Sequence, residues 1–178
     1  GIEAFDIREL RLGAAVGSGA FGVVRKCKLR NTDCAIKQLH QDARASVEML
    51  EGLLDEFDVM EKLRHPNVLL TMGIAVDPAD KTTGIVMELM QASLFDVIYD
   101  SSFAPYANWD SAFFSIASDV AKGMSFIHFN GLLHRDLKPG NILIDAQWVA
   151  KVADFGNVVD DSKALSDEKL EIAGTPPY

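Results

Sequence analysis

Cysteine is nearly absent: only Cys27 and Cys34 occur in 178 residues. A disulfide framework is therefore not expected. The two read as small apolar residues in strands, in a protein of a reducing compartment such as the cytoplasm. No apolar run approaches the roughly 20 residues of a membrane-spanning helix. The opening GIEAFDIREL lacks the basic-then-apolar pattern of a signal peptide. Positive charge is also scarce, with 17 Lys and Arg against 26 Asp and Glu and a net charge of −9. That balance argues against nucleic acid as the main partner, because the overall field repels a phosphate backbone. It leaves room for a small anion at one local cation site. Internal repeats and low-complexity segments are missing as well. What is plentiful is apolar material, 48% of the residues, enough for a sizeable core in one or two small units.

The first stretch alternates and is rich in β-branched residues over 10–16, 23–29 and 34–39. Turn residues at Gly17–Gly19 and at Asn31, Thr32 and Asp33 separate these runs, which predicts an antiparallel meander. Val47, Leu50, Leu54, Phe57 and Met60 then recur every three or four residues, predicting a helix that His65, Pro66 and Asn67 break. Strands are expected over 68–75 and 83–89, around a turn containing Pro78. Helices are expected over 94–99 and 109–129, the longer one with Asp110 near its start and Gly131 past its end. A short hairpin should join 142–144 to 149–153, and 157–178 reads as a loop. The fold class is α+β.

Three sequence features carry chemistry. Gly17, Gly19 and Gly22 permit close backbone approach to a ligand and positive φ. A strand follows them where a dinucleotide-binding turn needs a helix, and no G-x-x-x-x-G-K-[ST] loop occurs. Lys37 follows Ala35 by two positions, so the two side chains share a strand face. A lone strand lysine is usually a surface charge; inside Ala35-Ile36-Lys37, shortly after the glycine run, it reads as a fixed cation. The third feature is His134-Arg135-Asp136-Leu137-Lys138-Pro139-Gly140-Asn141, followed by Asp154-Phe155-Gly156.

In this order the pieces resemble the catalytic domain of eukaryotic-type protein kinases, over nearly the whole chain. The resemblance implies a bilobal fold. Residues 1–90 would form a β-rich lobe with one helix, residues 91–178 part of a mainly helical lobe, and the hinge would fall at 88–92. It implies ATP and Mg2+ (or Mn2+) as cofactors. Val16, Gly17, Ser18, Gly19, Ala20, Phe21, Gly22, Val24, Ala35, Met87, Glu88, Met90 and Leu143 would contact the nucleotide, with Met87 at the gatekeeper position. Lys37 would hold the α- and β-phosphates and pair with Glu56, or with Asp55 as the rival partner. Asp136 would orient the attacking hydroxyl and accept its proton, Lys138 would neutralise the transferring group, and Asn141 and Asp154 would bind metal. The remaining partners implied are a protein substrate and an upstream kinase or autophosphorylation. A phosphate on Ser162, Ser166 or Thr175 would pair with Arg135, while Thr175 is also expected to help hold the peptide.

Lys138 favours serine/threonine specificity, with dual specificity as an alternative. The segments 7–13 and 65–73 are similar to tyrosine-kinase-like serine/threonine kinases, of the Raf type and its plant or protist relatives. Two departures stand out. Ala92 replaces a common hinge glycine, and Thr71 stands where a large apolar residue usually joins a stack with Met60, Phe155 and His134. His134 itself is expected to pack on Phe155. The sequence also stops before the Ala-Pro-Glu turn and later helices of the family. The 109–129 helix, apolar on nearly every side, should therefore be left uncovered, and a fragment with little activity of its own is expected. A nucleotide-binding regulatory module and a small-molecule phosphotransferase are the competing readings.

Overall fold

The structure is a computed structural model that describes residues 3–18, 22–39, 47–79, 83–105 and 112–160. The chain divides into two compact units, one of Gly1–Lys62 with Leu70–Leu89, the other of Leu63–Leu69 with Met90–Tyr178.

The first unit is built on a six-stranded sheet in the order β1-β5-β6-β4-β3-β2. Its strands are β1 (Ala4–Asp6), β2 (Leu10–Ser18), β3 (Gly22–Leu29), β4 (Thr32–Leu39), β5 (Thr71–Val76) and β6 (Thr83–Glu88). Arg30 and Asn31 link β3 to β4 with φ of 48° and 70°. Two consecutive left-handed residues make the turn whose twist matches a hairpin, and asparagine tolerates that conformation well. The turn fixes the register from Leu29↔Thr32 down to Gly22↔Leu39. Because side chains alternate along a strand, Cys34 and Ile36 enter a core with Phe5, Leu10, Cys27, Leu29, Ala75 and Val86. Strand β1 was not anticipated. It pairs in parallel with β5, Phe5 opposite Ala75, and three residues are too few to show an alternation.

Helix α1 (Val47–Lys62) packs on β5 and β6. Its inward stripe is Leu53, Glu56, Phe57 and Met60, all buried, whereas Leu54 is exposed. The sequence pattern placed Leu54 inward. Leu53 takes that position because it lies three, four and seven residues before the other three buried side chains, one continuous helix face. Strand β5 starts at Thr71 and not at position 68. Residues 67–69 instead join the second unit, where Val68 bridges Val152, Leu69 N–H donates to Val152 O at 2.9 Å and Asn67 Nδ2 donates to Ala150 O at 3.0 Å.

The second unit contains β7 (Ala92–Ser93), α2 (Leu94–Tyr99), α3 (Phe114–Phe129), β8 (Leu132–Leu133), β9 (Ile142–Ile144), β10 (Ala150–Val152) and β11 (Val159–Asp160). Strands β10, β9 and β7 form one small sheet, and β11 pairs with β8. Ser93 and Asp96 cap α2 reciprocally, each side chain accepting the other's backbone N–H. The segment 157–178 was read as loop throughout. Val159–Asp160 is a strand, and 161–178 lies outside the described residues, as do 109–111 at the expected start of the long helix. Helix α3 buries Ile116, Gly123 and Ile127 and leaves Phe114 75% and Phe129 88% exposed.

Gly123 sets how closely α3 approaches the sheet. A Cβ there would run into Asn67 O and would lie 3.1 Å from Val152 Cγ2. Backbone oxygen has no rotamer through which to yield, so Gly123→Ala should destabilise the second unit by about 1–3 kcal/mol. A drop in the denaturant midpoint relative to wild type, at unchanged slope, is the expected result.

Candidate active site

In the first unit the hairpin and α1 assemble a cation–carboxylate pair. Lys37 Nζ lies 2.6 Å from Glu56 Oε2 and 2.8 Å from Oε1. The Glu56 side chain is 7% exposed and that of Lys37 24%. A carboxylate this deep loses its hydration and needs a charge partner. Asp55, Glu51 and Asp58 on the same helix stay exposed, which separates Glu56 from its neighbours.

Around Lys37, Val24 is its direct partner across the β3–β4 ladder, and Met87 on β6 is opposite Ala35. Gly17 pairs with Val24 and Ser18 with Val23, so β2 carries the first glycine to the same end of the sheet. Gly22 is buried, while Val16 is exposed. Gly19, Ala20 and Phe21 lie outside the described residues. Met87 is buried, and Glu88 receives the Leu70 N–H on Oε1 at 2.7 Å while its own N–H donates to Leu70 O at 3.1 Å. Those bonds fasten the last residue of β6 to the chain just before β5.

Thr71 is opposite Met87 in the β5–β6 pair and is buried, and its Oγ1 finds no hydrogen-bond partner among the described residues. A buried hydroxyl without a partner costs about 1–3 kcal/mol. An apolar residue there would avoid that penalty. Sequence reading found the oddity of a threonine at this position; its unpaired hydroxyl is visible only in the fold.

The second unit gathers the other candidates. Asp136 is buried, with Lys138 Nζ 2.8 Å from Oδ2 and Asn141 Nδ2 donating both to Oδ2 at 3.0 Å and to the Asp136 carbonyl at 2.8 Å. The Asn141 main chain also ties in, its carbonyl accepting the Ala153 N–H at 2.9 Å. That fixes the residue just before Asp154. Arg135 and Asp154 have φ of 62° and 64°. Left-handed backbone costs a non-glycine residue of order 1–3 kcal/mol and collects at functional sites. Here it flanks the two carboxylates under discussion. Arg135 Nε donates to Asn157 O at 2.7 Å, tying this loop to the segment after Asp154. Leu143 and Met90 are half-buried in the same unit.

The donor set fits a magnesium ion carried by a polyphosphate. Asn141 spends its Nδ2 hydrogens on Asp136, which leaves Oδ1 as an oxygen donor, and its main-chain carbonyl accepts the N–H of Ala153, the residue before the Asp154 carboxylate. Magnesium takes oxygen ligands and is usually bound by one or two carboxylates together with substrate phosphates. Among the described residues no group of three or more His, Cys, Asp or Glu gathers as a closed metal cage.

His134 is structural. Its ring meets Phe155 edge-on at 5.3 Å, Nδ1 accepts the Asp136 N–H at 3.3 Å, and Nε2 stands 3.0 Å from Ala153 O. Since Nδ1 accepts, the proton is on Nε2 and is donated to that carbonyl. Burial, the largest effect, pushes the imidazole below its usual 6.5.

A buried carboxylate clipped to a lysine and an asparagine, a second carboxylate on strained backbone, and a strand lysine held by a helix glutamate are the parts of a phosphotransfer enzyme. The chain belongs to the protein kinase family: the protein kinase domain model matches residues 10–178. It is 39% identical over 175 residues to a putative serine/threonine-protein kinase/receptor (R826) of Acanthamoeba polyphaga mimivirus, covering 96% of this chain and 10% of that protein. It is 41% identical over 172 residues to the dual specificity protein kinase shkB of Dictyostelium discoideum, covering 93% and 25%. With the serine/threonine-protein kinase CTR1 of Arabidopsis thaliana it shares 35% identity over 175 residues, covering 96% and 20%. The chain thus spans a quarter or less of each of these relatives.

The lowered His134 value has a consequence for stability. The unfolded chain takes up a proton near 6.5 while the native site resists it, so stability is full above about pH 6.5 and falls as the pH drops below it. Melting temperatures of the protein from pH 7.5 to 5.5 should decline, and His134→Asn should flatten that slope.

Proposed function

We propose that this chain is the phosphotransfer domain of a cytoplasmic protein kinase, moving the γ-phosphoryl group of ATP to serine and threonine hydroxyls of protein substrates. The observation that supports this best is the Asp136 carboxylate, buried and held by Lys138 and Asn141. A carboxylate so fixed orients an attacking hydroxyl and takes its proton as the new P–O bond forms. Lys138, with its Nζ 2.8 Å from that carboxylate, would offset the negative charge that develops on the transferring group. Lys37, steadied by Glu56, holds the α- and β-phosphates. Asn141 and Asp154 would hold a magnesium ion, which would supply charge neutralisation to the phosphate oxygens. Lys138 and the serine/threonine names of the relatives support the specificity. One relative's dual-specificity name makes tyrosine a secondary target to assay.

Control through the segment after Asp154 belongs to this reading. Arg135 already bonds that segment at Asn157, and a phosphate on Ser162, Ser166 or Thr175 would give the guanidinium a charged partner. Thr71, standing where the family usually has a large apolar residue and with no hydrogen-bond partner for its Oγ1 among the described residues, favours a second reading, a nucleotide-binding regulatory module with no transfer step.

The test pairs turnover with binding. Asp136→Asn keeps the shape of the side chain and removes its basicity. It should lower the rate of γ-phosphate transfer to a generic protein substrate by about 10²–10⁴ while leaving ATP affinity within a few-fold of wild type. A wild-type protein that binds ATP and transfers nothing would favour the regulatory module. Turnover unaffected by Asp136→Asn would remove Asp136 from the chemistry.

A further inference from the structure

The two cysteines are directly opposite each other in the β3–β4 hairpin, with Sγ atoms 2.6 Å apart. The two-residue turn at Arg30 and Asn31 makes them partners, because each β3 residue meets the β4 residue equally far beyond the turn. Opposed residues in an antiparallel pair have Cα atoms about 4.5–5.5 Å apart, inside the disulfide range of about 4.4–6.8 Å. Closing a bond here therefore needs no rearrangement of the backbone. We propose that Cys27 and Cys34 are a reversible disulfide-forming site, oxidised by a peroxide and reduced by a dithiol, that clamps the hairpin bearing Lys37.

The chemistry balances with one peroxide. The Cys27 thiolate attacks a peroxide oxygen, giving a sulfenic acid and releasing water or an alcohol. The Cys34 sulfur then attacks the sulfenic sulfur, forming the S–S bond and expelling a second water. The two sulfurs together lose two electrons, which the peroxide gains. Both thiols are buried, Cys27 at 4% and Cys34 at 0% exposure, so Cys27 is only slightly nearer the surface and the two roles can exchange once the strands open. Burial and the neighbouring sulfur both push the Cys27 thiol up, so the closed hairpin holds little thiolate and reacts slowly. Oxidation therefore proceeds through local opening of the strands. This behaviour suits a reducing compartment, where both thiols stay reduced until oxidant rises.

Face geometry decides what the bond does. Cys27 and Cys34 point into the core with Phe5, Leu10 and Leu29, whereas Lys37 is three positions from Cys34 and on the opposite face. A disulfide would hold β3 to β4 without occupying the side of the sheet that carries Lys37. The expected outcome is a more stable first unit that still binds nucleotide. The inference does not depend on the phosphotransfer reading.

The experiment treats the full protein with hydrogen peroxide and maps its peptides without reduction. The expected result is a linked pair of peptides containing Cys27 and Cys34. Both thiols should be protected from alkylation in denaturant and recovered by dithiothreitol. Treatment should raise the melting temperature by about 5 °C or more. Oxidation should accelerate in urea below the unfolding transition, and Cys27→Ser and Cys34→Ser should each abolish the melting shift. Two thiols that remain alkylatable, or that map as separate sulfinic acids, would overturn the proposal. A linked pair with an unchanged or lowered melting temperature would overturn the clamp.

Discussion

Asn141 is the clip on which the candidate chemistry depends. Its side-chain amide spans the carboxylate and the carbonyl of Asp136, and its own carbonyl takes the N–H of Ala153. One residue thereby sets the position of the Asp136 carboxylate and of the backbone entering Asp154. The left-handed φ at Arg135 and Asp154 is tolerable only where neighbours hold the chain so firmly. His134 adds to the hold, bonded to both Asp136 N–H and Ala153 O with its ring against Phe155. The knot is thus built largely from uncharged hydrogen bonds and a buried neutral ring, with Lys138 paired to the Asp136 carboxylate.

The first unit solves a different problem, holding a cation in place. A two-residue turn sets the hairpin register, the register sets the face of Lys37, and α1 brings Glu56 to it at 2.6 Å. Every step is short-range except the last, which needs α1 to present Glu56 on the same stripe as Leu53, Phe57 and Met60. An acid on a buried stripe is costly without a partner, and Lys37 supplies one. The cysteine pair lies on the other face of the same hairpin, so the ladder that positions the cation also aligns the two thiols.

Much of this was legible in the sequence. Strands β2, β3, β4 and β6, the α2 span and the 142–152 hairpin follow from alternation, periodicity and turn residues. The family was legible from the glycine run, Ala35-Ile36-Lys37, the eight residues from His134 and the Asp154 triplet, because these match in order and spacing. Glu56 was separable from Asp55 through family spacing and through its register one turn before Met60, and the fold agrees: Glu56 is buried and Asp55 is exposed. What escaped the sequence depends on distant contacts. Strand β1 is too short to alternate, 67–69 are claimed by backbone bonds to 150–152, and Leu53 displaces Leu54 by one position on the helix face. The facing of Cys27 and Cys34 was derivable once Arg30 and Asn31 were recognised as the turn. The sequence reading centred that turn on Asn31, Thr32 and Asp33, one position late, which obscured the pairing.

The central claim is that the knot around Asn141 is the metal–phosphate end of a phosphotransfer site. The most direct measurement is the magnesium dependence of γ-phosphate transfer in wild type, Asn141→Ser and Asp154→Asn. The account predicts that both substitutions raise the magnesium concentration needed for half-maximal rate and lower the maximal rate by at least about tenfold. A magnesium dependence identical to wild type in both variants would contradict it.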